Sequence, residues 1–254
     1  MLRTSTMWLG ALLAIGTPAV LPAQTLDTLP EVRVQDAAGG PHAIRWWHGA
    51  VAVGGLSTLM LLDRPVQRYA QHNSGTGADH VAGFVRHFGQ PEVYGTVTVG
   101  LLAAGLATNR PRITQAGGRL AASLAIAGLT TEAGKIAFGR PRPEQSLDAD
   151  GFVPFGGQAS LPSGHAAVAF AFATSLADDI HRPWATVGLY GMATAVAWSR
   201  VNDNRHWFSD VAAGALVGIT SAKLASGRWR IFGIKAPSII GGPRGAGLGW
   251  SGKF

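Results

Sequence analysis

The sequence predicts an all-α protein, a helical bundle of about six core helices, with multi-pass membrane insertion as one form of it. Three observations carry this. Six apolar segments of helical length, about 46–62, 93–107, 119–138, 165–179, 184–199 and 206–225, are dominated by Ala, Gly, Leu and Val. Strand-like alternation of apolar and polar residues is absent until the tail. The chain has 254 residues of which only 14% are charged, enough for one domain with a substantial core.

Taken in order, residues 1–23 read as a secretory signal peptide. Arg3 supplies the positive start, Met7 to Ile15 the apolar run, and Pro18, Pro22 and Ala23 a small-residue exit. Cleavage after Ala23 leaves Gln24 first, although Leu21 is larger than the usual residue three before the cut; the rival reading is an uncleaved anchor. Residues 24–43 are polar, end in Gly39, Gly40 and Pro41, and read as a flexible linker. The helical domain then runs over 44–226. Trp46 and Trp47 open its first segment and fit either an interfacial belt or the core. Asp63-Arg64-Pro65 ends that segment, and 63–92 is a connection with a turn at His72 to Gly77. Residues 227–254 form a Gly-rich tail, irregular or with short extended pieces.

Charge and composition narrow the function. The formal net charge is +7, which points to nucleic acid, an acidic membrane surface or an anionic substrate. Basic patches interleaved with aromatics are absent, which favours the anion or the membrane. With no cysteine, disulfides, thiolate metal sites and cysteine nucleophiles are excluded. His42, His48, His72, His80, His87 and His181 do not form a metal-ligand pattern, and no metal or other cofactor is expected.

Three stretches carry chemistry. Lys135 to Pro143 ends an apolar helix on Lys135, with Pro141 and Pro143 stopping it, so that Lys135 and Arg142 can converge from a helix end and a loop. Arg offers a planar fork for oxyanions and Lys a point charge. Leu161 to Ala166 places Ser163 as the N-cap of the next helix, where free N–H groups make an anion site, with Gly164 admitting close approach and His165 in the first turn. Ser199 to Asp210 supplies Arg200, His206 and Asp210. A helix beginning near His206 puts 206 and 210 on one face, where the carboxylate can accept a hydrogen bond from one ring nitrogen. Arg140 and Arg205 add positive field nearby, and Trp207 packs beside the histidine.

Together these stretches read Lys-x6-Arg-Pro, Pro-Ser-Gly-His and Ser-Arg-x5-His-x3-Asp, over residues 135–210. That order and spacing resembles the three-part signature of the phosphatidic acid phosphatase type 2 and vanadium haloperoxidase superfamily, with every position filled. The resemblance implies an acid phosphatase/vanadium haloperoxidase-like bundle and a metal-independent phosphatase. It implies His206 as nucleophile, through a phosphohistidine, His165 as general acid and then base, and Asp210 as the group orienting His206. Lys135, Arg142, Ser163, Gly164 and Arg200 would bind the phosphate. The substrate implied is a lipid phosphate or isoprenoid pyrophosphate, of the phosphatidate, phosphatidylglycerol phosphate or undecaprenyl pyrophosphate type, or a small phosphomonoester if the protein is a soluble periplasmic acid phosphatase. A haloperoxidase binding vanadate and a catalytically idle envelope protein are the further alternatives. Neither a nucleic acid nor a particular oligomeric state is implied.

The signature residues fall on one side of the helical segments. The opposite side holds Arg110, Arg112, Arg119, Arg182, Lys223, Arg228, Arg230 and Lys235. Basic loops normally stay in the cytoplasm, which places the site on the periplasmic side. Either five segments span and the first lies beside them, or none spans and the domain is soluble; a mean hydropathy of only +0.18 keeps the second form open.

Overall fold

The computed structural model describes residues 42–231, 238–242 and 245–249. The expected signal peptide and nearly all of the expected linker lie outside the described residues. After a short strand β1 (His42–Ile44) come α1 (Trp46–Met60), α2 (Asp63–His72), α3 (Thr76–His87), α4 (Pro91–Ala107), α5 (Pro111–Phe138), α6 (Gly164–Ile180), α7 (Pro183–Asn202) and α8 (Phe208–Ala225). Strand β2 (Trp229–Ile231) pairs in parallel with β1, His42 opposite Trp229, and β3 (Ser238–Gly242) pairs antiparallel with β4 (Gly245–Gly249). The all-α expectation holds, and the six apolar segments correspond to α1 and α4 to α8.

Proline opens α4, α5 and α7, where its missing N–H costs nothing. Helix α5 stops at Gly139, which caps it at φ +54°; a side chain there would collide with the Val153 carbonyl, so the αL turn is a glycine position on two counts.

The connection expected over 63–92 contains two helices. Both are polar on one side, so they escape a search for apolar segments. Their polar faces fasten the end of the bundle where α7 finishes. Gln67 donates to Asn204 Oδ1 at 3.0 Å, Gln71 to the Asn202 carbonyl at 3.1 Å, and Asn202 to Asp79 Oδ1 at 3.0 Å. Arg86 pairs with Asp203 at 3.0 Å.

Helix α6 is the axis of the core. Its Ala166, Ala167, Ala169, Ala171, Ala173 and Ala177 are all buried, and such small residues let neighbouring backbones come close. On α8, Gly214 faces the Ser163 carbonyl and Gly218 the Ala167 carbonyl, each so near that a Cβ would overlap it. At the end away from the signature residues, ion pairs join α5, α6 and α8: Arg119 to Asp179 at 2.6 Å, Lys223 to Asp178 at 2.7 Å and Arg228 to Asp178 at 3.0 Å. Arg110, Arg112 and Arg182 at that end are exposed and outside every ion pair among the described residues.

The outer surface is apolar. Helix α1 has no buried residue, and Val99, Leu106, Leu129, Trp184 and Val187 face outward from α4, α5 and α7. Trp46 is 80% exposed and Trp47 46%, which excludes the core reading for both. Between α1, α5 and α8 runs an apolar cleft of about 690 Å³. Among the described residues one helix, Phe208–Ala225, is long and apolar enough by composition to cross a membrane. At 1.5 Å per residue the 17 residues of α6 reach about 26 Å, near the ~30 Å of a hydrocarbon core.

Candidate active site

The signature residues gather at one end of the bundle because α5 and α7 end there while α6 and α8 begin there. Lys135 lies in the last turn of α5 and Arg142 in the loop beyond Gly139. Ser163 is the N-cap residue of α6, as expected, and the preceding Leu161–Pro162 bond is cis. Arg200 lies in the last turn of α7. Backbone bonds lock these pieces together: Ser163 N–H to the Asp210 carbonyl at 3.0 Å, Ser160 N–H to the Arg140 carbonyl at 3.0 Å, and His206 N–H to the Arg200 carbonyl at 3.3 Å. Lys135, Gly164 and His165 share one cavity of about 530 Å³ with Tyr94, Gly128, Thr131 and Glu132. Arg200, His206, Lys135 and Arg142 all lie near enough to act electrostatically on His165.

One expectation is corrected here. Helix α8 begins at Phe208, so His206 precedes it rather than opening it. Its Nδ1 lies 3.8 Å from Asp210 Oδ2, too far for a hydrogen bond, and 2.9 Å from the Ser160 carbonyl oxygen. A carbonyl only accepts, so Nδ1 carries the proton and Nε2 holds the free lone pair. The orienting acceptor is therefore a backbone group, for which no side-chain pattern exists in the sequence. Asp210 acts one step back. It accepts from Ser160 Oγ, from Trp207 N–H at 2.9 Å and from Arg140 Nη1 at 2.7 Å, fixing the segment that carries His206. Trp207 is buried, and its indole N–H donates to the Pro141 carbonyl at 2.9 Å, as packing beside the histidine requires. Burial holds the His206 imidazole below the ordinary histidine range; the nearby Asp210 carboxylate opposes this, and Arg200 and Arg142 add to it.

Two arginines outside the signature separate. Arg205 is half exposed and pairs with Glu144 at 2.6 Å. Arg140 is fully buried and reaches two carboxylates, Asp210 and Asp63, the latter at 2.6 Å. Asp63 also accepts from the Ser209 N–H at 2.7 Å and the Ser209 hydroxyl at 2.6 Å. In the sequence Asp63 reads as a helix terminator; only a contact spanning 146 positions reveals its role. Each signature cation has a carboxylate beside it: Glu132 on Lys135 at 2.6 Å, Glu144 on Arg142 at 3.7 Å and Asp203 on Arg200 at 3.1 Å.

Among the described residues, four buried side-chain polar atoms lack a partner, and two of them belong to the signature: Ser163 Oγ and Arg200 Nε. Buried donors are normally satisfied, and leaving one bare costs about 1–3 kcal/mol. No group of three or more His, Asp or Glu that could hold a metal occurs among the described residues. The arrangement offers a tetrahedral anion three cations, a hydroxyl and a helix N-terminus, with an unprotonated imidazole nitrogen nearby.

Residues 116–230 match the family model of the PAP2 superfamily. Over 111 residues, 43% of this chain and 22% of the relative, the chain is 40% identical to a lipid A 1-phosphatase of Porphyromonas gingivalis. Over 76 residues, 30% of this chain and 38% of the relative, it is 37% identical to a putative undecaprenyl-diphosphatase, YbjG, of Escherichia coli. The chain thus spans well under half the length of these curated relatives. Two solved structures share the fold at 20% identity. Aquifex aeolicus LpxE superposes with a TM-score of 0.54 over 65% of this chain and 94% of that one. A transmembrane PAP2-type phosphatidylglycerolphosphate phosphatase from Bacillus subtilis does so with a TM-score of 0.56 over 72% and 92%. Every residue of the three-part signature, from Lys135 to Asp210, falls inside the segment of the chain that matches the PAP2 superfamily model.

Proposed function

We propose that the protein is a metal-independent phosphatase of phosphorylated lipids, acting through a phosphohistidine. The observation that carries this is the pair of bare buried donors, Ser163 Oγ and Arg200 Nε, on residues that the signature marks as phosphate ligands. A bound phosphate satisfies both. Lys135, Arg142 and Arg200 neutralise its oxygens as charge builds in the transition state, work that metal ions do in many phosphoryl-transfer enzymes. His206 Nε2 attacks phosphorus and forms the P–N bond as the P–O bond to the leaving group breaks. His165 gives its proton to the departing oxygen. In the second step His165 takes a proton from water, whose oxygen displaces His206 and releases phosphate.

The lipid class rests on two supports. The curated relatives are named for lipid A and undecaprenyl diphosphate. The helices around the site present apolar residues outward, as a bilayer-embedded bundle does. On this reading the bundle is membrane-associated, Trp46 and Trp47 lie at an interface, and the basic end with Arg110, Arg112 and Arg182 faces the cytoplasm, leaving the site on the periplasmic side.

The test is a panel assay of purified protein with phosphatidate, phosphatidylglycerol phosphate, undecaprenyl pyrophosphate and p-nitrophenyl phosphate, with acid quenching of labelled substrate. Acid-labile label on His206 and a preference for lipid substrates are expected. Wild-type turnover by His206→Ala refutes the mechanism, and a preference for p-nitrophenyl phosphate refutes the lipid class. For orientation, a single cysteine at Gln158 is expected to react with an impermeant maleimide in intact spheroplasts; labelling only after lysis puts the site in the cytoplasm.

A further inference from the structure

A buried ionic chain extends behind the site. Asp63, Arg140 and Asp210 are each fully buried. Arg140 Nη2 donates to Asp63 at 2.6 Å and Nη1 to Asp210 at 2.7 Å, while Nε donates to the Ala149 carbonyl at 2.8 Å. The rings of Phe152 and Trp207 lie 5.3 and 5.6 Å from the guanidinium carbon. Asp63 stands at the start of α2, outside the family match, and ties Ser209, the neighbour of Asp210, by two hydrogen bonds. Its contacts are far more numerous than a helix end requires.

Charge balance gives the chain a purpose. One cation between two carboxylates leaves a net single negative charge. Without the Asp63 charge, Arg140 neutralises Asp210, and the group 3.8 Å from His206 Nδ1 loses its electrostatic hold. The other charges facing His206 are positive: Arg200 from α7 and Arg142 from the loop after α5. His165 faces it from α6, while Arg205, next in the chain, is engaged by Glu144. Among the strongest influences on His206, Asp210 is the carboxylate, set against the cations Arg200 and Arg142.

We propose that Asp63 is a positioning residue: its carboxylate cancels the Arg140 charge, so that Asp210 keeps the His206 imidazole basic enough to attack. This deepens the phosphatase reading, yet its central test does not depend on activity. The pH at which His206 protonates is read by NMR on detergent-solubilised protein with ¹⁵N-labelled histidine, the signal assigned with His206→Gln. Asp63→Asn preserves shape and removes a charge; the midpoint moves down by about one pH unit. Arg140→Gln leaves two carboxylates, and the midpoint moves up by a similar amount. The double variant restores the single negative charge and returns the midpoint close to wild type. If one single variant fails to fold, the other still shifts the midpoint in its stated direction and the double variant still returns it close to wild type. A purely structural role lowers the melting temperature and leaves the midpoint in place; that result, or both single variants moving the same way, overturns the proposal. In parallel, the acid limb of kcat/KM follows the midpoint. A wild type inactive on every panel substrate fails the phosphatase reading alone, since the NMR midpoints stand without it.

Discussion

Replacing Gly214 by alanine tests whether the closeness of α6 and α8 sets the geometry of the site. The added Cβ falls on the Ser163 carbonyl oxygen and lies 3.0 Å from Ala166 Cβ and 3.2 Å from Ala167 N. Real Cβ contacts do not go below 3.0 Å, and ordinary contact starts near 3.4 Å, so the two helices must part by more than about 0.4 Å at this point. The neighbour is backbone and has no rotamer to turn. Overpacking of this kind costs about 1–3 kcal/mol. Ser163 moves with its carbonyl, and displacement of a positioning group by about 1 Å costs up to ~10²-fold in rate. Gly214→Ala is therefore expected to lower the melting temperature in detergent by several degrees and kcat/KM by roughly tenfold or more. Gly218→Ala, one turn further from the site against the Ala167 carbonyl, is expected to lose stability with a smaller loss of rate. Gly188→Ala on α7, where a Cβ meets nothing within 4 Å, serves as control and is expected to be neutral or to gain about 0.5–1 kcal/mol from helix propensity. If Gly214→Ala melts and turns over like wild type, the claim that this contact fixes Ser163 is wrong.

Other expectations concern the chemistry. His165→Ala should lose ~10²–10⁴-fold in rate on alkyl phosphate leaving groups and less on p-nitrophenyl phosphate, which leaves without a proton; an equal single-turnover loss on both removes the acid role. Because burial holds His206 below the ordinary histidine value, the unfolded chain binds this proton first as pH falls. The stability this group contributes is complete above pH ~6.5 and drains away as pH drops through the folded value, and the acid limb of kcat/KM lies below pH ~6.5; a limb above that in a pH–rate profile contradicts the assignment. Activity should persist in excess EDTA, and vanadate should compete with substrate; strict magnesium dependence, or peroxide-driven bromide oxidation with vanadate, points to different chemistry. Gly139→Ala should destabilise by well over the ~1 kcal/mol of an αL penalty, since the Val153 carbonyl occupies the space, and circular-dichroism melts will measure it.

Much of this was legible in the sequence because its signals are local. The apolar segments, the prolines and Gly139 mark the helices, and the three stretches name residues that the fold does bring to one end. The gaps have physical reasons. Helices α2 and α3 are short and carry polar residues, so their hydrophobic signal is weak, and what fixes them is side-chain bonding to the end of α7. The His206–Ser160 contact involves a carbonyl that every residue possesses. Asp63 and Arg140 lie 77 positions apart, and nothing local pairs them. Asp-Arg-Pro reads as punctuation when only its neighbours are visible.

The carboxylates seated beside Lys135, Arg142 and Arg200 bear on how the proposed phosphatase lets go of its product. Three cations at the end of a helix dipole would clutch inorganic phosphate and stall. Here Glu132, Glu144 and Asp203 already hold those cations at 2.6, 3.7 and 3.1 Å, so an arriving phosphate gains only the difference between one set of ion pairs and another. In the proposed mechanism the same carboxylates stand ready to take the cations back when the P–N bond breaks. On the lipid-phosphatase proposal they work as a built-in competitor: weak against a substrate whose lipid tail adds affinity of its own, and stronger against the bare ion that remains.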